Sequence, residues 1–180
     1  MGTPIRLAFL WHMHQPGYLD LEETSLELPW VRLHSSKAYF DMAWLLERYP
    51  SIKCTINFVP ILIEQINHYL DGMRDAYYLL TEKPSSQLTE ADKQTILDKF
   101  FSCHFDTCVA TRPRYLELHQ KAQQPDALTH FSTQDYRDLS VLFNLSWFGF
   151  GTRVEFPFIQ ELEEKGRGFT EDEKTKVLDL

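Results

Sequence analysis

The sequence predicts an α/β fold of two parallel strands followed by a mostly helical stretch, and three observations carry that reading. Residues 1–72 run in the order strand, helix, strand, helix, which makes the two strands parallel neighbours. Residues 73–180 carry helical signals almost throughout. The first apolar run, Leu7-Ala8-Phe9-Leu10-Trp11, stops at the polar cluster His12-Met13-His14-Gln15-Pro16. A short apolar run closed by a breaker reads as a buried parallel strand, and such strands present functional side chains at their carboxyl ends.

Taken in order, residues 5–11 form the first strand. His12 and His14 are two apart, so on a strand they face one side and Trp11 faces the other. Pro16 cannot donate to a ladder and biases Gln15 toward an extended conformation. Residues 18–33 are a loop containing Pro29. Ser35 or Ser36 caps a helix with Ala38, Met42, Leu45, Leu46 and Tyr49 on its apolar face, and Pro50 ends it. Residues 51–58 are the second strand, with Ile52, Cys54, Ile56 and Phe58 on one face and Asn57 holding its turn. Pro60 suits the first turn of the next helix, which carries Leu62, Ile66, Tyr69 and Leu70, and Gly72 is its C′ residue.

Beyond Gly72, residues 73–81 form a short helix and 83–87 a loop. Thr89 with Asp92 makes a capping box that opens a helix reaching about residue 109. Arg112-Pro113 breaks the chain before a helix at 115–121. Ser132 with Asp135 caps another, whose apolar face is Leu139, Leu142, Phe143 and Trp147. Gly149 and Gly151 loosen the chain. Residues 156–164 are helical, and Thr170 with Glu173 is a full capping box whose helix runs to Leu180 without a stop signal. Two parallel strands cannot bury both faces of a sheet. The expectation is therefore the front portion of a larger domain, truncated at its C-terminus. The alternative is a small self-contained helical domain with an unusual strand pair.

Composition narrows the function. The 180 residues are 43% hydrophobic and 24% charged, which excludes wholesale disorder. A net charge of −8 disfavours nucleic acid and anionic membranes as partners, since both need a basic footprint. Three cysteines without a C-x-x-C pair fit a reducing compartment. The N-terminus does not read as a signal peptide and no stretch approaches a membrane span, so the expected location is cytoplasmic. Asn144-Leu145-Ser146 is a formal glycosylation sequon inside a helical pattern and carries no weight. Abundant aromatic residues suit a large core and also a carbohydrate site, where sugar faces stack on rings.

The ordered series of motifs resembles glycoside hydrolase family 57. His12-Met13-His14-Gln15-Pro16 is similar to the family's first conserved region. Pro29-Trp30-Val31-Arg32-Leu33-His34, followed by Lys37-Ala38-Tyr39-Phe40-Asp41-Met42, resembles its first helix. Asn57-Phe58-Val59-Pro60-Ile61-Leu62 resembles its second strand and turn. The stretches from Phe131 to Phe148 and from Lys165 to Thr170 resemble its helical insertion and the approach to the next strand.

The resemblance implies the first part of an incomplete (β/α)7 barrel, with residues 1–72 as its first strand–helix pairs and 73–180 as a helical insertion. It implies an α-glucan or maltooligosaccharide substrate, a retaining mechanism, and the remainder of the barrel as partner. Family activities include α-amylase, amylopullulanase, 4-α-glucanotransferase, branching enzyme and α-galactosidase, and this sequence most resembles the α-amylase or amylopullulanase-like members. The nucleophile Glu and acid/base Asp lie on later strands, beyond Leu180, so this chain carries no catalytic carboxylate and alone is expected to be inactive. Glu22, Glu23 and Glu27 match no catalytic motif. By the same resemblance His14, His12 and Gln15 bind substrate, with His34, Trp30 and Arg32 as an outer rim. No metal and no cofactor is implied. Two other readings stand beside this one. The His-x-His spacing also serves metal-dependent amidohydrolase-type enzymes, and the aromatic content permits a non-catalytic helical glucan-binding module.

Overall fold

A computed structural model describes residues 5–22 and 24–180; Glu23 lies outside them. The sheet consists of β1 (Leu10–Met13) and β2 (Thr55–Phe58), paired in parallel. In their register Leu10 faces Thr55, Trp11 faces Ile56, His12 faces Asn57 and Met13 faces Phe58. The parallel pairing agrees with the sequence reading, but the bounds differ. The ladder begins five residues later than expected, because β1 has β2 as its partner and pairs only over the length of that short strand. His12 therefore lies within the strand rather than after it.

A long helical run lies against the sheet. It starts at Trp30, behind Pro29, and passes through α1 (Trp30–His34), a π-helical turn (Ser35–Tyr39) and α2 (Phe40–Arg48). The expected cap at Ser35 or Ser36 is thus wrong: both lie inside the run. Burial of Val31 and Leu33 draws the segment before Ser35 into the helix. The Ser36 hydroxyl bonds back to the carbonyls of Arg32 and Leu33, a habit of mid-helix serines. The next helix, α3 (Pro60–Leu70), has Pro60 in its first turn, and Gly72 follows with a φ of 98°, as expected for a C′ glycine. Met13, Val31 and Leu62 form a small core between β1, α1 and α3.

The helical half packs around a larger core. Helix α4 (Ala76–Glu82) begins at Asp75, whose carboxylate accepts the Tyr78 N–H at 2.8 Å, three residues later than the expected start. Helix α5 (Glu90–Lys99) has the Thr89–Asp92 capping box but stops ten residues before the expected end, where Phe100 turns fully into the core. A separate π-helical turn spans Phe105–Val109. There follow α6 (Pro113–Ala122), α7 (Ala127–His130) and the central α8 (Thr133–Leu145), opened by the Ser132–Asp135 box. From α8, Tyr136, Leu139, Val141, Leu142, Phe143 and Leu145 are all buried. The chain continues through α9 (Phe150–Glu155), α10 (Pro157–Lys165) and α11 (Glu171–Lys176), and α11 gives way to a 3-10 turn at Val177–Asp179 instead of continuing to Leu180.

Gly149 and Gly151 do not loosen the chain. They let α9 press against α2: a Cβ on Gly149 would collide with the Asp41 carboxylate, and one on Gly151 would lie 2.8 Å from Trp44 Cγ. None of the described helices is long and apolar enough to cross a membrane.

Candidate functional site

The site is built by the alternation of β1. Met13 points toward the helices, 3% exposed and packed on Val31 and Leu62. His12 and His14 flank it in sequence and project from the opposite, open face. Their rings stack with centroids 5.9 Å apart and planes 15° from parallel, so the two imidazoles share one surface. Trp11 belongs, by register, to the Met13 side. The parallel register brings Asn57 beside His12, and His12 Nδ1 lies 2.8 Å from Asn57 Oδ1.

Gln15 sits two residues past the strand and bonds to tyrosines rather than to the imidazoles. Its carbonyl accepts the Tyr18 hydroxyl at 2.8 Å, and its amide donates over a long 3.5 Å to the Tyr39 hydroxyl. Tyr39 then leads to a row of half-buried rings. The His34 ring lies 6.2 Å from Tyr39 and 5.4 Å from Trp147, and Trp147 lies 5.5 Å from Trp30. The Lys37 ammonium sits 5.0 Å from the Trp147 ring and donates to the Ser146 carbonyl at 3.1 Å. Burial, with the Lys37 charge beside it, pulls the His34 pKa below the ordinary histidine value. Burial also raises the Tyr18 hydroxyl, with Tyr39 adding to it.

Arg32, expected at the rim, turns inward instead. Its guanidinium bonds the fully buried Asp75 at 2.6 Å and Asn144 Oδ1 at 3.1 Å, which pins α1 to α4 and α8. The shape of its fork explains the correction, since it satisfies two buried acceptors that water cannot reach. Asn144, the sequon residue, is itself 2% exposed and donates to the Ser140 carbonyl, closed to modification in the fold.

Two clefts of about 560 and 570 Å³ lie elsewhere, one beside Arg74 and Tyr78, the other between α5 and the start of α7. Neither is lined by His12, His14 or Gln15. The histidine site is an open strand face, not an enclosed cavity. Among the described residues no three His, Cys, Asp or Glu side chains come together as a metal-binding group.

The sequence profile of glycosyl hydrolase family 57 matches residues 8–179. The chain belongs to this family. No curated protein and no solved structure matches it. Within a family 57 chain, the open imidazole pair falls at the carboxyl end of the first matched strand, and the fold is an α/β piece with a two-stranded parallel sheet. The family is one of glycosyl hydrolases, which points to a carbohydrate as the class of substrate. Of the five residues singled out for substrate, the structure groups His12 with His14, and Gln15 with His34 and Trp30 through Tyr39 and Trp147. The sequence reading does not single out Tyr18, Tyr39 and Trp147, the rings that contact Gln15 and His34. Their signal is weak there, because each lies at helical or loop spacing that reads as core.

Proposed function

We propose that this chain is the N-terminal portion of a cytoplasmic, retaining, α-glucan-active hydrolase or 4-α-glucanotransferase of family 57, of the α-amylase or amylopullulanase-like type. The observation that supports this most is the stacked His12–His14 pair on an open strand face, in a chain matched to the family over residues 8–179. His14 and His12 hydrogen-bond hydroxyls of the sugar at the cleavage point. A neutral imidazole carries one donor and one acceptor, which suits a hydroxyl that also does both. Bonds of this kind that tighten as the oxocarbenium-like state forms raise the rate, not just the affinity. Gln15 adds a contact from beside Tyr39, next to the row of rings. Trp30 and His34 form the outer rim, where ring faces stack on sugar faces.

Retaining chemistry needs two carboxyl groups roughly 5–5.5 Å apart, one the nucleophile and one the acid/base. We assign both to barrel strands other than β1 and β2. Residues 1–72 are then the first strand–helix pairs and 73–180 the helical insertion. The start of β1 and the segment leading into it support this reading through exposed apolar side chains, Leu7 (79%), Phe9 (58%) and Leu10 (65%). Covering each fully would gain about 1.5–3 kcal/mol, a strong drive to pack further strands there.

The test is to incubate the pure chain with maltoheptaose, measuring reducing ends and binding heat together. We expect no hydrolysis and weak binding, with a Kd near about 1 mM, or −4 kcal/mol. Hydrolysis by the pure chain would overturn the assignment of both carboxylates to other strands. Binding that survives replacement of both histidines by alanine would remove them from the sugar site.

A further inference from the structure

Asn57 reads in the sequence as a residue that merely holds a strand turn. Its surroundings say otherwise. It stands directly across the parallel ladder from His12, and both side chains are exposed on the same open face. Its amide oxygen lies 2.8 Å from His12 Nδ1. An amide oxygen only accepts, so the ring nitrogen facing it must carry the proton. We propose that Asn57 is a positioning residue that fixes the Nδ1–H tautomer of His12 and so leaves the Nε2 lone pair free to accept a ligand hydroxyl.

Two features favour this over a structural role. A hydrogen bond between exposed side chains adds little to folding, so stability does not explain the contact. The partner is also an amide rather than a carboxylate. A carboxylate in the same place would orient the ring but also favour its charged form. The uncharged amide selects a tautomer and so keeps the other ring nitrogen as an acceptor of a hydroxyl proton. The His14 ring lies beside that of His12, with planes 15° from parallel. The ligand class rests on the carbohydrate reading above; the tautomer does not.

The experiment is nitrogen-15 NMR of the histidine side chains in the whole chain, as wild type, Asn57→Ala and Asn57→Asp. Two-bond proton–nitrogen correlations identify which nitrogen carries the proton. We expect wild-type His12 to be protonated on Nδ1, Asn57→Ala to shift it toward the Nε2–H form that imidazoles prefer in water, and Asn57→Asp to restore Nδ1–H. Thermal melting should be alike in all three. Wild-type His12 carrying its proton on Nε2, or an unchanged tautomer in Asn57→Ala, would overturn the proposal. Maltoheptaose is then titrated into the wild type. A shift of the His12 Nε2 signal supports both ideas. The predicted tautomer without any sugar-induced shift supports the role of Asn57 and rejects sugar at His12. A sugar-induced shift on an Nε2–H ring does the reverse.

Discussion

His12 and His14 stack on the side of β1 that no described helix covers, while Met13 between them does the packing. On the proposed reading, binding and folding fall to alternate residues of this stretch. Replacing an exposed imidazole leaves no large cavity, so His14→Ala should melt within about 0.5 kcal/mol of wild type. In an enzyme that includes the catalytic carboxylates, losing one bond worth roughly 1.5–3 kcal/mol in the transition state should lower kcat/KM about 10- to 100-fold. Steady-state kinetics with melting curves will check this; a lost fold without a kinetic defect would move His14 to the scaffold. His34 behaves differently because burial, and then Lys37, disfavours its charged form. The unfolded chain takes up that proton near the ordinary value of 6.5, the folded chain only at lower pH. Between the two the unfolded state binds more protons, so stability falls as pH falls through that window. His34→Gln should flatten the fall in melting temperature below pH 6.5, and identical profiles would reject the assignment.

At the scale of elements, the join between α2 and α9 depends on one carboxylate. Asp41, on α2, accepts the N–H groups of Phe150 at 2.9 Å and Gly151 at 2.7 Å, so it caps α9 from a different helix. The α9 N-cap is Gly149, which offers no side chain for that purpose. Asp41→Ala should cost about 1–2 kcal/mol, as the loss of a strong cap does. In a chain of this size that is a fall of roughly 2–8 °C in Tm. Gly149→Ala should also destabilise, because its Cβ meets the same carboxylate. The double variant should lose less than the sum, since removing Asp41 removes the collision. Calorimetry of the three variants tests the pair, and strict additivity would show that the contact is not shared.

For the molecule as a whole, a buried charge network ties α6 to α8. The Arg114 guanidinium bonds Asp135 at 2.5 Å and Asp138 at 2.8 Å, and Lys121 reaches Asp135 at 2.8 Å. Asp138 also accepts the Phe169 N–H at 3.1 Å, which carries the network to the segment before α11. Arg114→Met leaves two buried carboxylates short of their counter-charge and should cost about 3–5 kcal/mol, measured by urea unfolding. A cost under about 1 kcal/mol would mean that the network is not a support. Burial pushes the Asp135 carboxyl up, but Lys121, the Ser132 cap and Arg114 outweigh it and hold it at about 2. A lowered carboxylate pKa gives stability that is full above the unfolded value of 3.8 and is lost as pH falls toward about 2. Acid unfolding in that range should be shallower in Lys121→Met, which weakens the pairing of Asp135.

The sequence by itself determined the elements whose signals are local. The capping boxes at Thr89, Ser132 and Thr170, the proline opening α3 and the glycine after it all fall where the residues put them, because a cap needs only partners within one turn; Pro113, read as a breaker, instead opens α6. The His-x-His alternation was legible for the same reason, since the period of a strand is fixed by its backbone. Tertiary structure alone decided the rest. It set the strand ends, because a ladder runs only as far as its partner. It drew α1 back to Trp30 and made Ser36 a mid-helix residue, because Val31 and Leu33 had a core to enter. It turned Arg32 inward onto Asp75, made Gly149 and Gly151 points of close approach, and joined Asn57 to His12. The contacts of Arg32, Gly149, Gly151 and Asn57 link residues 40 or more positions apart in the chain, and no local spacing encodes which distant group arrives to complete them.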